Sequence, residues 1–193
     1  MINPYAIGKT IYLRAPVASD IEPNWYQWFS DPEVTRFLGE RVWPNTVELQ
    51  REFFESTKNA NDRLVLCICR IEDDSHIGIC NISFINWIHR FGDVALIVGD
   101  KKYRNGSAAE ETLALMLEIA FVRLNLLNLR SSHLAGHPHT PLLVKLFGFQ
   151  EVGRIKNLYH LEGSQVDFVT SQLSREDWYS RNQSAKTAVM RDG

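Results

Sequence analysis

A cluster of cationic and small residues at 100–108, DKKYRNGSA, is the first place where residue types and spacing indicate chemistry. Asn105-Gly106 between apolar runs is a common hairpin signal, yet the pattern that follows is helical. Ser107 and Glu110 have the S-x-x-E spacing of a helix capping box. A strand that leads through a tight turn into a helix leaves backbone N–H groups unpaired, and the helix dipole favours an anion there. The stretch predicts a helix from about Ser107 whose start binds an anion. Three cations precede it: Lys101, Lys102 and Arg104.

The same stretch also has a purely structural interpretation. Strand-turn-helix junctions with one glycine are common, and a capping box stabilises a helix without any ligand. The Glu110 carboxylate would compete with an anion for the helix dipole. The phosphate-loop patterns G-x-x-x-x-G-K-[ST] and G-x-G-x-x-G are absent from the sequence. Spacing alone leaves both interpretations open.

Metal-ligating residue types are sparse. Cys67, Cys69 and Cys80 have the spacing of neither a disulfide framework nor a zinc ribbon. The first two are interpreted as small buried apolar residues of a strand. His137 and His139 form an H-P-H pair without a third ligand nearby, so no metal site is expected.

The bulk composition limits the class of protein. The 193 residues are 45% hydrophobic and 23% charged, which fits one globular domain. A formal charge of −2 argues against a general nucleic-acid binder. No apolar run approaches the ~20 residues of a membrane helix, and the first residues lack a secretory pattern. We expect a cytoplasmic protein with one domain at 1–179 and a flexible tail at 180–193.

Hydrophobic periodicity places the elements that must position these residues. Strand patterns occur at 11–16, 62–73, 77–86, 89–100 and 126–136, and as a pair from 151 to 174. Helix patterns occur in pieces at 18–34 and then at 46–60, 107–124 and 140–149. In the second of these, Thr46 is the expected N-cap, and Leu49, Phe53 and Phe54 form the expected apolar stripe. The order predicts a mixed α/β fold with a largely antiparallel sheet and helices packed on it.

These elements, in this order, resemble the GNAT superfamily of acyl-CoA-dependent N-acyltransferases, in particular its ribosomal-protein and amino-sugar acetyltransferase branch. The likeness covers about residues 10–178. It rests on IYLRAPVASDIEPNWYQWFSDPEVTRFL, HIGICNISFI, DVALIVGDKKYRNGSAAEETLALMLEIAF, LNLLNLRSSHL and LLVKLFGFQEVGRI. Each motif is weak by itself, whereas the ordered set is fairly specific. The resemblance implies a sheet that splays open at a cleft for acetyl-CoA.

The resemblance also implies the residues that bind the cosubstrate acetyl-CoA. In that family, the strand before the turn pairs its backbone with the pantetheine arm, and the turn and helix start bind the pyrophosphate. The arm would lie along Leu96, Ile97 and Val98. The pyrophosphate would lie at Arg104, Asn105, Gly106, Ser107 and Ala108. His137 would contact acetyl-CoA in place of the family's asparagine.

The sequence departs from the family pattern at two places. The turn keeps only Gly106 where relatives often have more glycines, and Arg104 stands where a glycine is usual. Fewer positions then adopt positive φ freely, so either CoA affinity is lower or the charge of Arg104 compensates. Val144 stands where the family often has a tyrosine general acid, and valine donates no proton. Another group or water would protonate the thiolate, or the chain has lost the chemistry.

The implied reaction is acetyl transfer to a primary amine, which needs a base because only the neutral amine attacks the thioester. Asp93, at the start of the cosubstrate strand, is the first candidate, and a solvated turn residue is its structural alternative. His133, near the end of the next strand, is the second candidate, and a hydrogen-bonded structural histidine is its alternative. Direct transfer requires no Ser-His-Asp or Cys-His triad.

Acceptor recognition is expected between residues 25 and 43, where aromatic residues and arginines are dense. The expected contacts are Trp28, Arg41 and Trp43, because aromatic faces and guanidinium groups suit a nucleotide base and its phosphates. Packing of this aromatic cluster on the sheet is the structural alternative. The slightly favoured acceptor is a small amine such as a nucleotide-linked amino sugar. A protein N-terminus and a catalytically silent CoA-binding regulatory domain are the alternatives. No nucleic-acid or membrane partner is expected, and the strand pair at 153–173 would serve a homodimer.

Overall fold

The centre of the molecule is a sheet, as seen in a computed structural model that describes residues 1–39 and 43–182. The sheet has eight strands in the order β1-β2-β3-β4-β5-β6-β8-β7. The strands are β1 (Ala6–Ile7), β2 (Ile11–Arg14), β3 (Leu64–Arg70), β4 (His76–Asn86), β5 (Phe91–Val98), β6 (Asn128–Leu134), β7 (Gln150–Leu161) and β8 (Ser164–Ser174). All neighbours pair antiparallel except β5 and β6, which are parallel. The expected mixed and largely antiparallel sheet is confirmed.

Helices cover both faces of the sheet. They are α1 (Tyr26–Trp28), α2 (Pro32–Thr35), α3 (Val47–Lys58), α4 (Ser107–Glu118) and α5 (Thr140–Leu146). Two short helical turns, Ala18–Asp20 and Ile21–Trp25, precede α1, and α4 continues into a wider turn at Ile119–Arg123. Residues 175–182 are also helical, so the expected tail begins with helical residues, and 183–193 lie outside the described residues.

Helix α3 has the predicted N-cap, but its apolar stripe is only partly buried. The hydroxyl of Thr46 accepts a hydrogen bond from the Leu49 N–H at 3.2 Å, which confirms the N-cap. Of the expected apolar stripe, only Phe54 is buried in the core. Leu49 and Phe53 are exposed and line a cleft instead. The predicted stripe therefore faces two environments, because a helix can turn apolar residues towards a cavity as well as towards a core.

The start of α4 decides between the hairpin and helix interpretations. Gly106 is the N-cap residue with φ of 95°, and Ser107 is the first helical residue. The Asn105 side-chain oxygen accepts from the Ser107 N–H at 3.2 Å and from its hydroxyl at 2.9 Å. The first helical bond runs from the Glu110 N–H to the Gly106 carbonyl at 2.9 Å. The helix start is confirmed and the hairpin is excluded, whereas the predicted capping box is wrong because the helix begins one residue earlier than that box requires.

The sheet separates two cores. In β3, Leu66 and Ile68 belong to the core beneath α4, whereas Cys67 and Cys69 belong to the core beneath α3. Successive side chains of a strand point to opposite faces, so a strand buried on both faces needs a nearly continuous apolar run. Cys67, Cys69 and Cys80 are all buried and free, as predicted for the first two.

The outer edge of the sheet is β7, which is exposed along almost its whole length. Its apolar side chains Val152, Ile155 and Leu158 are among the exposed ones. Pairing of this edge with a second copy stays a prediction. Among the described residues, no helix has the length and apolar character needed to cross a membrane.

Candidate functional site

The sheet opens between β5 and β6. Their parallel ladder covers only residues 91–93 and 128–130. Beyond it, β5 keeps its pairing with β4 alone, and β6 pairs with β8 alone. Leu96, Ile97 and Val98 therefore lie on a strand with one free edge, whose alternate N–H and C=O groups are available to a ligand. A free strand edge is what backbone pairing with an extended ligand requires.

The start of α4 follows at the end of this open strand. A Cβ added at Gly106 would meet nothing within 4 Å, so open space faces this residue. The N–H groups of Ala108 and Ala109 precede the first helical bond and have no carbonyl one turn earlier to pair with. Because the Asn105 oxygen already takes the Ser107 N–H, the donors left for an anion are those of the two alanines. This geometry fits a pyrophosphate, helped by the helix dipole.

The side chain of Arg104 folds back onto the end of β5. Its guanidinium donates to the Val98 carbonyl at 3.0 Å and to the Gly99 carbonyl at 2.6 Å. It also lies 3.8 Å from the Asp31 carboxylate and 3.7 Å from that of Glu33. These contacts hold the end of β5 in place and neutralise part of the positive charge of Arg104. Arg104 therefore compensates for the missing glycines less than an arginine without these contacts would.

The opening leads into a cleft of about 740 Å³. Its aromatic lining residues include Trp25, Phe29, Phe37, Trp43, Phe53 and Phe84. Its neutral polar lining residues include Asn45, Gln50, Asn81, Ser83, Ser131 and Ser132. Among the described lining residues the carboxylate is Asp62, which pairs with Arg63 at 3.4 Å. The described part of the cleft is therefore aromatic and neutral polar in character, without surplus negative charge.

His133 lies on the open part of β6 and lines this cleft. Among the described residues, no partner hydrogen-bonds to its buried Nδ1, which leaves Nε2 as the nitrogen available to the cleft. Burial lowers the pKa of His133, and the nearby Glu151 carboxylate offsets this only in part. The imidazole is consequently neutral at pH 7, the state in which it accepts a proton.

Asp93 occupies the last paired position of β5, at the point where the sheet begins to open. Its carboxylate accepts from two guanidinium nitrogens of Arg130, each at 2.7 Å. The same guanidinium lies 4.8 Å from the ring centre of Phe91. Asp93 is not among the cleft-lining residues, so the structure does not bring it together with His133. Because Asp93 is held by Arg130 and is not among the cleft-lining residues, its role as base has weaker support than that of His133.

His137 lines the cleft and holds the start of α5. Its Nδ1 accepts the N–H groups of His139 at 3.2 Å and Thr140 at 3.1 Å. Burial, helped by the neighbouring histidines, lowers the pKa of His137 to about 4. The ring is therefore neutral with its proton on Nε2, which lies 3.3 Å from the Thr140 hydroxyl. A contact with acetyl-CoA through Nε2 is compatible with this position and stays a prediction.

Trp28 is the predicted acceptor contact that the structure corrects. Its side chain is buried, and its ring packs on His76 at 4.9 Å between ring centres. A Cβ added at Gly99 would lie 2.1 Å from the ring of Trp28, so this indole rests directly on the backbone. The neighbouring residues Trp25 and Phe29 line the cleft, whereas Trp28 does not. The helical turn points Trp28 into the core, as the structural alternative proposed.

Three other sequence predictions concern positions near the cleft. Trp43 lines the cleft and is largely exposed. Arg41 lies outside the described residues. Val144 is buried and lines the cleft, and no tyrosine stands among the described lining residues. A side-chain acid for the thiolate is therefore not supplied at the family's usual place.

A buried ion pair supports the segment that carries Trp25. Arg14 donates to both carboxylate oxygens of Asp20, at 2.7 and 2.6 Å, and the Val17 N–H donates to one of them at 2.7 Å. Burial pushes the pKa of Asp20 up, but the hydrogen bonds from Arg14 and Val17 outweigh it and hold this pKa below its usual range. His76 Nδ1 lies 3.7 Å from Asp20. Burial lowers the pKa of His76 to about 4.

Asp20, Cys67 and His76 also bring possible metal-ligand atoms within 4.8 Å of one another. Both oxygens of Asp20 are engaged by the guanidinium of Arg14. Burial raises the pKa of the Cys67 thiol far above its usual range, so Cys67 keeps its proton. These three residues therefore fit a buried hydrogen-bonded cluster that holds the fold better than a cation site. The expectation of no metal stays a prediction.

Sequence reasoning missed several cleft residues, among them Asn81. Three cleft residues carry buried polar atoms that lack a partner among the described residues: Trp25 Nε1, Asn81 Oδ1 and His133 Nδ1. Unpaired buried polar atoms are costly, so they mark a place where a polar ligand or water completes the pairing. The available signal was an asparagine within the apolar run IGICNISFIN, where a strand buried on both faces needs an apolar residue.

The acetyltransferase (GNAT) domain model matches residues 10–150. The spermidine N-acetyltransferase of Vibrio cholerae, solved with CoA and spermine, is similar with a TM-score of 0.80 and 17% identity, covering 88% of this chain and 98% of that one. A probable acetyltransferase gives 0.80 and 15%, covering 92% and 100%. A GNAT acetyltransferase from Bacillus anthracis gives 0.75 and 16%, covering 89% and 98%. No curated protein sequence matches the chain.

The likeness to solved structures confirms the fold, and the match to the domain model identifies the family. The ribosomal-protein and amino-sugar branch stays a prediction. Because the domain model covers most of the chain, from β2 to the start of β7, the protein belongs to the GNAT acetyltransferase family and is an acyltransferase.

Proposed function

We propose that this protein transfers the acetyl group of acetyl-CoA to a primary amine, with His133 as the base. The observation that carries this proposal is the position of a neutral imidazole on the open part of β6, across the cleft from the free edge of β5. Leu96, Ile97 and Val98 offer the backbone for the pantetheine arm. The start of α4 offers the donors for the pyrophosphate.

The chemistry assigned to His133 is one proton transfer. A protonated amine gives its proton to Nε2, which frees the nitrogen lone pair. The nitrogen then forms a bond to the thioester carbonyl carbon and loses one further proton to water, the carbon–sulfur bond breaks, and CoA leaves as a thiolate. The products are an N-acetylated amine and CoA, and the enzyme forms no covalent intermediate.

The thiolate must finally take up a proton without help from Val144, which is buried and apolar. A thiol has a pKa of roughly 8.5, so its thiolate is a competent leaving group near neutral pH without a side-chain acid. Water, or the imidazolium form of His133, supplies the proton. The valine therefore does not require a loss of catalysis.

The lining of the cleft favours a hydroxylated amine, such as a nucleotide-linked amino sugar, over a polyamine. Asn81 Oδ1 needs a donor and Trp25 Nε1–H needs an acceptor. Sugar hydroxyl groups supply both, whereas protonated amines supply donors only. A polyamine also needs several carboxylates, and among the described lining residues Asp62 is the single carboxylate.

Two alternatives from the sequence are tested by the same assay. A protein N-terminus is the alternative acceptor, and a silent CoA-binding domain is the alternative without turnover. Thiol release is measured with free and nucleotide-linked amino sugars, spermidine and short peptides. Release with the amino sugars supports the proposal. CoA binding without release from any amine identifies the silent domain.

The role of His133 is tested by His133→Gln, with the exposed His160→Gln as the matched control. Loss of a general base is expected to lower kcat/KM by about 10²–10⁴-fold, while CoA still raises the melting temperature. Because burial lowers the pKa of His133, the acid limb of the wild-type pH profile is expected below pH ~6.5. A His133→Gln variant with full activity and an unchanged pH profile would refute this role.

A further inference from the structure

The mouth of the cleft carries three aromatic side chains that are unusually open to solvent. The exposed fraction is 75% for Trp43, 69% for Phe84 and 38% for Phe53, and all three line the cavity. We call them the mouth aromatics. Large apolar side chains grouped at one opening, rather than scattered, are typical of a binding surface.

The backbone at Phe84 is strained in a way that packing does not explain. Phe84 has φ of 51°, in the left-handed region, at an irregularity of the β4–β5 ladder between Ser83 and Asn86. This conformation costs a bulky residue roughly 1–2 kcal/mol. The strained conformation presents a ring that is mostly exposed at the cleft, so the fold's own packing does not offset the cost. Strain of this kind is concentrated at ligand sites.

A cation stands beside the mouth aromatics. Arg63 lines the same cleft, and its Nε lies 3.4 Å from the Asp62 carboxylate. Both side chains are more than one third exposed. Such an exposed pair has little net strength, so the guanidinium is free to exchange the carboxylate for a phosphate, to which arginine binds with two parallel hydrogen bonds.

We propose that the mouth aromatics and Arg63 form a subsite for the base and phosphates of a nucleotide-linked acceptor. The inference rests on the proposed N-acetyltransferase function and names the part of the acceptor that lies outside the reacting amine. A planar base stacks on aromatic side chains with roughly 1–3 kcal/mol per base, and Arg63 meets the phosphates. An aromatic peptide side chain would use the rings but would leave the guanidinium without a role.

The size of the cleft agrees with this occupant. A volume of about 740 Å³ lies in the range that encloses drug-sized ligands. A small amine would fill only the inner part near His133 and Asn81. The base at the mouth and the sugar amine at His133 would together span the cleft from its opening to its reacting end.

The test uses two acceptors that carry the same amino sugar, one free and one linked to a nucleoside diphosphate. Phe84→Ala and Trp43→Ala are compared with Ile88→Ala, an exposed apolar residue that does not line the cleft. Phe84→Asn is included because asparagine accepts the left-handed backbone. We expect the KM of the linked acceptor to rise about tenfold, with kcat, the KM of the free sugar and the KM of acetyl-CoA unchanged.

The role of Arg63 is tested with UDP as a probe that contains no amine. Calorimetry is expected to show UDP binding to the wild type and to Ile88→Ala, and its loss in Arg63→Ala and Phe84→Ala. An equal rise in KM for both acceptors would overturn the subsite and show that the rings only shape the cleft. Preference for peptides with an aromatic residue would overturn it in favour of a peptide groove.

The two proposals fail in distinguishable ways. If no amine of any class is acetylated, the proposed function is wrong. If free amino sugars are acetylated, the nucleotide-linked ones have no lower KM and UDP does not bind, then the transferase function stands and the nucleotide subsite is wrong.

Discussion

The two sides of the cleft are built by different means. The cofactor side comprises the open edge of β5 and the start of α4, a single stretch of residues 94–109. The groups that it offers to the proposed acetyl-CoA are backbone groups. The acceptor side is the rest of the cleft lining, and it offers side chains to a ligand. These side chains come from the helical turn before α1 and from α2, α3, β4, β6 and α5. Backbone contacts depend on conformation rather than residue type, so the cofactor side tolerates sequence change that would alter the acceptor side.

Similarity of fold to a known structure therefore says more about the cofactor side than about the acceptor side. At 17% identity the spermidine N-acetyltransferase structure still superposes with a TM-score of 0.80. A shared fold at such low identity requires the same strand order and the same helix starts, and those also build the cofactor side. It does not require the same lining side chains. The acceptor must therefore be argued from this chain's own cleft.

The largest expected effect lies behind the acceptor side, at the buried Arg14–Asp20 pair that supports the segment carrying Trp25. Asp20→Ala leaves the guanidinium buried and unpaired, which is expected to cost about 3–5 kcal/mol of unfolding free energy. Glu55→Ala, which breaks the exposed pair with Lys58, is the control, with an expected cost below about 1 kcal/mol. Urea unfolding followed by tryptophan fluorescence measures both. Equal costs would show that the acceptor side does not depend on this pair.

The next effect is a pH dependence of stability on the same side. His76 has a pKa of about 4 in the folded protein because of burial, against about 6.5 when unfolded. The unfolded state then binds more protons between these values, so stability is complete above about pH 6.5 and falls as the pH drops towards 4. His137, also at about 4, acts in the same window. Asp20, with its lowered pKa, contributes only below about pH 4.

Each buried histidine is expected to contribute about 2 kcal/mol of lost stability between pH 6.5 and 5. His76→Gln keeps a donor for the Gly78 carbonyl, which His76 Nε2 contacts at 3.0 Å. This variant should show a shallower fall of the melting temperature over that range, and His160→Gln should match the wild type. A slope unaffected by His76→Gln would mean that His76 is not buried in its neutral form.

The sequence predicted the cofactor side of the cleft better than the acceptor side. The order of strands and helices along the chain and the start of α4 came from local periodicity and one glycine, because those signals are read within a few residues. Trp28 was placed at the acceptor and proved to rest on Gly99. Phe53 and Phe54 were predicted in one apolar stripe, yet Phe53 lines the cleft and Phe54 is in the core. Which aromatic of a helical turn faces a cavity depends on packing between segments far apart in sequence, and no local pattern contains that information.

The cofactor side is tested by a matched pair of glycines. Gly106 and Gly163 both have positive φ, and an added Cβ meets nothing within 4 Å at either position. Alanine at either position is expected to cost about 1–2 kcal/mol of stability. Only Gly106→Ala should also weaken CoA binding, by about tenfold, because relaxation of its backbone turns the helix-start N–H groups away from the anion. Calorimetry with CoA measures this, and an equal affinity in both variants would remove Gly106 from the site.

The smallest expected effect concerns the charge of Arg104. With its guanidinium on the Val98 and Gly99 carbonyls and near Asp31 and Glu33, much of its field at the helix start is cancelled. Arg104→Ala is therefore expected to weaken CoA binding by only about threefold, the effect of one partly screened charge.

Arg104→Lys separates the two roles, because lysine keeps the charge but not the paired donors that brace the strand end. A tenfold loss in Arg104→Ala that Arg104→Lys restores would show that charge compensates for the missing glycines. An unchanged affinity in both variants would show that the backbone suffices. The cofactor side would then depend on conformation alone, whereas the acceptor side depends on its side chains.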